Sequence, residues 1–251
     1  MVSYIDAHDG ERLAVHEVGH GRPLVLIHGY FSTARVNWIA YGHAQLIANR
    51  GYRVIMPDLR GHGDSAKPHD SERYRGDILA DDGLALVEQL GLTDYDLGGY
   101  SLGARTTARM LVRGATPGRV VLGGMGLSGI TRTGGRGEHF REVLTATETY
   151  PRYSPLWKSQ SFLRKTGGDP VALLHVLESF VDTPDNDLSC ITAPTLVVCG
   201  EHDLDNGSPQ ELVDALPNAR LALVPGDHMS AVADKALGQA IARFLGDASD
   251  V

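Results

Sequence analysis

Cysteine is scarce in this chain: Cys190 and Cys199 are the only two in 251 residues. Two thiols make no disulfide framework, and a chain this long buries enough surface to need none. A basic surplus is also missing. Lys and Arg number 23 against 31 Asp and Glu, a net charge of −8. That balance lacks the electrostatic footprint of a nucleic-acid binder and disfavours an anionic membrane surface. No apolar run reaches the ~18 residues of a membrane-spanning helix. The segment Met1–Arg12 has no apolar core of a secretion signal. These absences lead to the expectation of a soluble, cytoplasmic protein of a reducing compartment, with no nucleic-acid or membrane partner. Apolar residues at 42% and charged residues at 22% are ordinary for a globular chain and silent about activity.

What is present is an alternation of strands and helices. Ser3–His8 and Arg12–Glu17 flank the turn pair Asp9-Gly10 and read as an antiparallel hairpin. Pro23–His28 is a continuous apolar run of the kind buried on both faces of a sheet. Further strands are expected at Tyr52–Met56, Asp94–Tyr100, Arg119–Leu122, Thr195–Cys199 and Ala219–Val224. Helices are expected at Trp38–Asn49, Asp77–Leu90, Leu102–Arg113, Pro209–Leu216 and Met229–Leu245. Between Gly123 and Asp187 the strands stop. Three helical stretches are expected there: Glu138–Thr147, Pro155–Lys165 and Pro170–Phe180. The alternation implies an α/β fold: a mostly parallel central sheet flanked by helices. The excursion is expected to be a short helical cap, residues 123–187, inserted into a core of residues 1–122 and 188–251. It would cover the carboxyl edge of the sheet, where open α/β sheets bind ligands.

The sharpest motif is Gly99-Tyr100-Ser101-Leu102-Gly103, with a strand before it and a helix after it. A G-x-S-x-G turn in that setting exposes a serine hydroxyl on a tight elbow, and the glycines leave room for it. The opening helix aims N–H groups and its positive dipole end at the same place. A serine hydroxyl needs a base, and the base needs a carboxylate to hold its tautomer. Two later strand ends supply candidates: Gly200-Glu201-His202-Asp203 and Pro225-Gly226-Asp227-His228. Among the acids, Asp205 and Glu201 rival Asp203.

Three segments carry a resemblance. Leu26-Ile27-His28-Gly29-Tyr30, Asp58-Leu59-Arg60-Gly61-His62-Gly63-Asp64-Ser65 and Gly200–Asp203 look like the strand-plus-His-Gly segment, the D-x-R-G-x-G-x-S loop and the acid-bearing segment of the α/β-hydrolase fold family. The likeness covers residues from about 3 to 246. It implies Ser101 as nucleophile, His228 as base and Asp203 as orienting acid. It also implies an oxyanion hole from the N–H groups of Leu102 and Tyr30, with Phe31 the alternative to Tyr30. His28 and His62 fall where family members hold loops in shape. Tyr30, Phe31, Tyr100, Met125 and Met229 near the active edge, and Trp157 with Phe162 and Phe180 in the cap, are expected to border the substrate.

Several patterns imitate other chemistry. His16-Glu17-Val18-Gly19-His20 spells H-E-x-x-H, but it sits on an expected strand rather than a helical turn, so no metal site is expected. Gly124-Met125-Gly126-Leu127-Ser128-Gly129 spells G-x-G-x-x-G without a following strand, and reads as a flexible approach to the cap. Asn206-Gly207-Ser208 reads as an ordinary loop, and Cys199 as a small core residue. Taken together, the resemblance implies a cofactor-free serine hydrolase acting on carboxylic esters of small or medium acyl groups. The same triad could instead serve a thioesterase, lactonase, C–C bond hydrolase, perhydrolase or acyltransferase. A non-catalytic ligand receptor is the reading outside enzymes. The oligomeric state is not legible in the sequence.

Overall fold

The computed structural model of the protein describes residues 2–246. Its strands are β1 (Val2–Asp6), β2 (Arg12–Gly19), β3 (Arg22–Ile27), β4 (Tyr52–Pro57), β5 (Asp96–Tyr100), β6 (Val120–Gly123), β7 (Thr195–Gly200) and β8 (Ala219–Val224). They form one sheet in the order β1-β2-β4-β3-β5-β6-β7-β8. The hairpin β1–β2 and the pair β2–β4 are antiparallel, and every pairing from β4 to β8 is parallel. The carboxyl ends of β3, β5, β6, β7 and β8 therefore share one edge.

Successive residues of a strand face opposite sides, so the apolar runs feed two layers at once. Val25, Ile27, Leu97 and Val197 pack with α2 (Ile78–Gln89), α3 (Leu102–Val112) and α8 (Pro209–Ala215). Leu24, Leu26, Val121 and Val198 pack on the other face with Trp38, with Ile47 of α1 (His43–Ala48) and with Leu237, Ile241 and Phe244 of α10 (Lys235–Gly246). This is the architecture expected for a run of doubly buried parallel strands.

Two expected helices are broken. The stretch 38–49 is a π turn at Arg35–Ile39 followed by α1, with Gly42 between them at φ 80°. The stretch 229–245 is α9 (Ser230–Ala233) followed by α10. Asp234 between them is extended, and its carboxylate accepts the Ala236 N–H at 2.8 Å. In both places a local turn residue overrides a continuous apolar period.

Between β6 and β7 lie α4 (Leu127–Thr131), α5 (Gly137–Leu144), α6 (Pro155–Thr166) and α7 (Pro170–Glu178). Ser154 and Asp169 cap α6 and α7 through their side chains, each followed by proline at the first helical position. Val143, Leu144, Leu163 and Leu173 from these helices form a small core that takes in Phe31. The stretch 124–129, expected to be flexible, is tightly packed. A Cβ on Gly126 would lie 2.2 Å from the Gly207 oxygen.

The segment Asp58–Ser65 is held by charge and hydrogen bonds. Asp58 accepts N–H groups from Ala34 (2.8 Å) and Asp64 (2.9 Å), and the His16 imidazole at 3.2 Å. Burial opposes the Asp58 charge, but His16, His28 and these N–H groups outweigh it and draw its pKa down to about 2. His28 receives the Leu59 N–H on Nε2 (3.0 Å), so its proton sits on Nδ1 and is donated to the Gly29 oxygen (2.8 Å). Burial and the neighbouring His28 draw the pKa of His62 down to about 3. Arg60 is fully buried and reaches Asp82 with Nη2 (2.8 Å), Asp9 with Nη2 (2.8 Å) and the Arg73 oxygen with Nη1 (2.7 Å). One guanidinium thus ties the β1–β2 turn and the loop before α2 to the helix itself.

Two stability predictions follow from these groups. Arg60→Met leaves Asp82 buried without its partner and should cost roughly 3–5 kcal/mol in urea unfolding; a loss below about 1 kcal/mol would show that the ion pair is dispensable. The acid limb has a defined sign. Asp58 and His62 both have folded pKa values below their unfolded ones of about 3.9 and 6.5. Their contributions are therefore full above those unfolded values and are lost as pH falls toward the folded ones. The His62 contribution should fade from pH ~6.5 downward, and the Asp58 contribution, about 2 kcal/mol, between pH ~4 and ~2. Asp58→Asn should flatten the lower step of a stability-against-pH curve, and an unchanged step would refute the assignment.

Candidate active site

Ser101 lies between the end of β5 and the start of α3, at φ 55° and ψ −114°. A non-glycine residue held there costs on the order of 1–3 kcal/mol and persists only where its surroundings enforce it. The surroundings are visible. The Ser101 N–H donates to the Gly123 oxygen (2.8 Å), and Arg105 N–H donates to the Ser101 oxygen (3.0 Å). A Cβ on Gly103 would stand 2.1 Å from the Ile27 oxygen, and one on Gly99 would stand 2.3 Å from the Gly103 carbonyl carbon. The two glycines let α3 start directly against β3 and β5, and the serine turn is the consequence.

Two loops bring the partners. Gly200 and Gly226 let the ends of β7 and β8 touch: a Cβ on Gly200 would lie 2.4 Å from the Gly226 oxygen. His202 N–H donates to the Gly226 oxygen (3.0 Å), and Asp203 N–H to the Gly200 oxygen (3.0 Å). His228 Nδ1 is then 2.8 Å from Asp203 Oδ2, and His228 Nε2 is 3.0 Å from Ser101 Oγ. An ionised carboxylate only accepts, so the imidazole proton sits on Nδ1 and Nε2 is free to take one from the serine. The second oxygen of Asp203 accepts the Asp205 N–H (3.2 Å). Asp203 and His228 are both buried. Neither rival acid bonds the imidazole, although an Asp205 carboxylate oxygen lies within 4.8 Å of a His228 ring nitrogen. Asp205 pairs with Arg136 at 2.6 Å, and Glu201 is exposed beside His202. Tyr100 fixes the histidine loop by donating its hydroxyl to the His228 oxygen at 2.8 Å.

Ser101 and His228 open onto a cavity of about 320 Å³, within the usual range for small-molecule sites. Tyr30, Phe31, Tyr100 and Met229 line it as expected from the sequence, and Phe162 joins them. Met125 and Trp157 do not. Met125 is 1% exposed and turned into the main core. Trp157 stacks near Tyr153, with ring centres 5.6 Å apart, while α6 turns Lys158, Ser159 and Phe162 toward the cavity. Phe180 borders a smaller crevice beside Ser101 and Arg105 instead. Asn37, Tyr41, Arg136 and Phe140 also line the main cavity and were not anticipated. Asn37 was masked by lying in a stretch adjoining an expected continuous helix, and Phe140 by carrying no motif.

Leu102 is the first residue of α3, and the leading N–H groups of a helix have no acceptor within it. The Gly29–Tyr30 backbone passes on the other side of the serine: a Cβ on Gly29 would be 3.4 Å from Ser101 Cβ. Phe31 sits at φ 59° in the same loop. The Tyr30 hydroxyl reaches α7, donating to the Leu173 oxygen at 2.5 Å, and burial raises its pKa well above the ordinary phenol value.

The look-alike motifs have structural duties. His16 and Glu17 are on β2 and His20 follows it, so the H-E-x-x-H residues do not share a helical turn. Asn206 is buried and donates Nδ2 to the Gly124 oxygen (2.9 Å). Cys199 is buried against Met125, and burial pushes its thiol up to about 12. Among the described residues, no helix is long and apolar enough to cross a membrane.

Known proteins share this fold. Residues 22–120 match the alpha/beta hydrolase fold family. A non-heme haloperoxidase from Rhodococcus erythropolis is 28% identical over 89% of this chain and 91% of its own length. The AB hydrolase superfamily protein YisY from Bacillus subtilis (strain 168) is 34% identical, over 45% of this chain and only 40% of its own length. A crystal structure of a bromoperoxidase from Bacillus anthracis superposes with a TM-score of 0.73 at 25% identity, covering 98% of this chain and all of that one. Sheet order, serine turn and these likenesses agree: the chain has the α/β-hydrolase fold and is similar to members of that family over residues 22–120.

Proposed function

We propose that the protein is a serine hydrolase of carboxylic esters with small or medium apolar acyl groups. The observation that carries this reading is the hydrogen-bonded chain Asp203–His228–Ser101 at the wall of an aromatic cavity. Ser101 Oγ attacks the ester carbonyl while His228 Nε2 takes its proton. The Leu102 and Tyr30 N–H groups meet the oxyanion of the tetrahedral adduct. Collapse of the adduct breaks the bond to the alcohol, which leaves with the proton held by His228. A water then gives its proton to His228 and attacks the acyl-enzyme, releasing the acid and restoring the serine. Asp203 holds the imidazole tautomer and stabilises the imidazolium. Every step uses groups of this chain and the substrate, so the mechanism calls for no cofactor or metal.

Residues 123–187 act in this reading as a cap on the core of residues 1–122 and 188–251. Phe140 and Phe162 come from the cap and Phe31 and Tyr100 from the core, so the substrate is enclosed between them. The similarity to a non-heme haloperoxidase favours one second reading, perhydrolysis. Hydrogen peroxide would then replace water in deacylation, giving a peroxy acid and free Ser101.

A panel of nitrophenyl esters of rising acyl length, lactones and acyl thioesters tests substrate class, and a hydrogen peroxide arm tests the second reading. Ester turnover should exceed thioester turnover and fall once the acyl chain outgrows the cavity. Ser101→Ala should lower kcat by on the order of 10⁴–10⁶, and His228→Ala nearly as much. Wild-type-like turnover by either variant, or failure of a fluorophosphonate to label Ser101, would overturn the hydrolase reading and favour a ligand receptor.

A further inference from the structure

Behind the Gly29–Tyr30 loop is a polar side chain that the steps above do not use. Asn37 sits within the π turn Arg35–Ile39, where the Ala40 N–H donates to the Arg35 oxygen five residues back (2.8 Å). Such turns place an extra residue in a helix and are concentrated at functional sites. Asn37 is 2% exposed, yet it lines the cavity together with Ser101. Its Oδ1 accepts the Gly29 N–H at 2.9 Å. Gly29 also abuts the nucleophile: a Cβ there would be 3.4 Å from Ser101 Cβ and 3.6 Å from Asn37 Oδ1. Amide, loop and nucleophile are thus packed in one layer.

The other half of the amide is unspent. Asn37 Nδ2 is buried and has no hydrogen-bond partner. Leaving a buried donor unpaired is costly, whereas an apolar residue of the same shape carries no such cost. Packing alone therefore does not account for asparagine at this position.

We propose that Asn37 is a positioning residue of the Ser101 centre: its Oδ1 holds the Gly29–Tyr30 backbone so that the Tyr30 N–H meets the oxyanion. This rests on the serine-hydrolase reading. The chemistry behind it is the demand that oxyanion donors be fixed before charge develops. A loop free to shift would still bind the ester, but it would meet the transition state less well. The loss should therefore fall on kcat rather than on KM.

The test compares wild type, Asn37→Leu and Asn37→Asp on one nitrophenyl ester, with thermal unfolding and fluorophosphonate labelling of Ser101 in parallel. Asn37→Leu should lower kcat and the labelling rate roughly ten- to a hundredfold, with KM within about threefold. Asn37→Asp keeps an acceptor for Gly29, and when protonated it is also a donor. Its kcat relative to wild type should rise as pH falls and the carboxylate, whose charge opposes the oxyanion, is neutralised; thermal unfolding at each pH separates this from a change in the folded fraction. Wild-type kcat in Asn37→Leu overturns the proposal, as does a pH-independent ratio for Asn37→Asp. If Asn37→Leu fails to fold, the pH ratio of Asn37→Asp decides. A wild type that neither turns over esters nor labels removes the hydrolase reading and this inference together, whereas an active wild type with indifferent variants removes this inference alone.

Discussion

The approach of helix α3 to the ends of β3 and β5 is the constraint on which the rest of the structure depends. Gly103 and Gly99 remove the Cβ atoms that would collide with the Ile27 oxygen and the Gly103 carbonyl. With that contact made, the chain has too little length for a relaxed turn, and Ser101 is left at φ 55°. The strain is held by the sheet on one side and the helix on the other. It also holds the hydroxyl out of the backbone and leaves the first N–H groups of α3 beside it.

The same economy of space recurs at the neighbouring strand ends. Gly200 and Gly226 let two loops cross in contact, so that Asp203 and His228 meet although 25 residues separate them. Tyr100, adjacent to the serine, donates to the His228 backbone and ties the histidine loop to the serine's own strand. On the other side, Asn37 binds Gly29, and Tyr30 reaches across to Leu173 of α7. A substrate bound in the cavity would press on both the core and the inserted helices. The small apolar cluster around Phe31 couples those two parts mechanically.

Polar burial is concentrated where loops need a fixed shape. Asp58, His16, His28 and Arg60 form hydrogen-bonded sets under the loops that follow β3 and β4. Each is expensive to bury alone and acceptable only because its partners are complete. The two histidines differ accordingly: His28 has both ring nitrogens engaged by backbone, while His228 Nε2 faces a serine hydroxyl.

The sequence by itself determined the fold class and the serine and histidine that meet at the sheet edge. Doubly buried apolar runs, the glycine-flanked serine and acids after strand-ending glycines are local patterns, and local sterics dictate their outcome. The breaks at Gly42 and Asp234 were hidden because apolar periodicity outlasted the helices. Only the tertiary structure decided which acid faces the imidazole, since Glu201, Asp203 and Asp205 are equivalent in composition and differ in the direction the turn gives them. It likewise placed Phe140 and Asn37 on the cavity wall and turned Met125 and Trp157 away from it. A side chain's facing within an irregular segment depends on what packs against it from distant parts of the chain, and no short-range pattern encodes that.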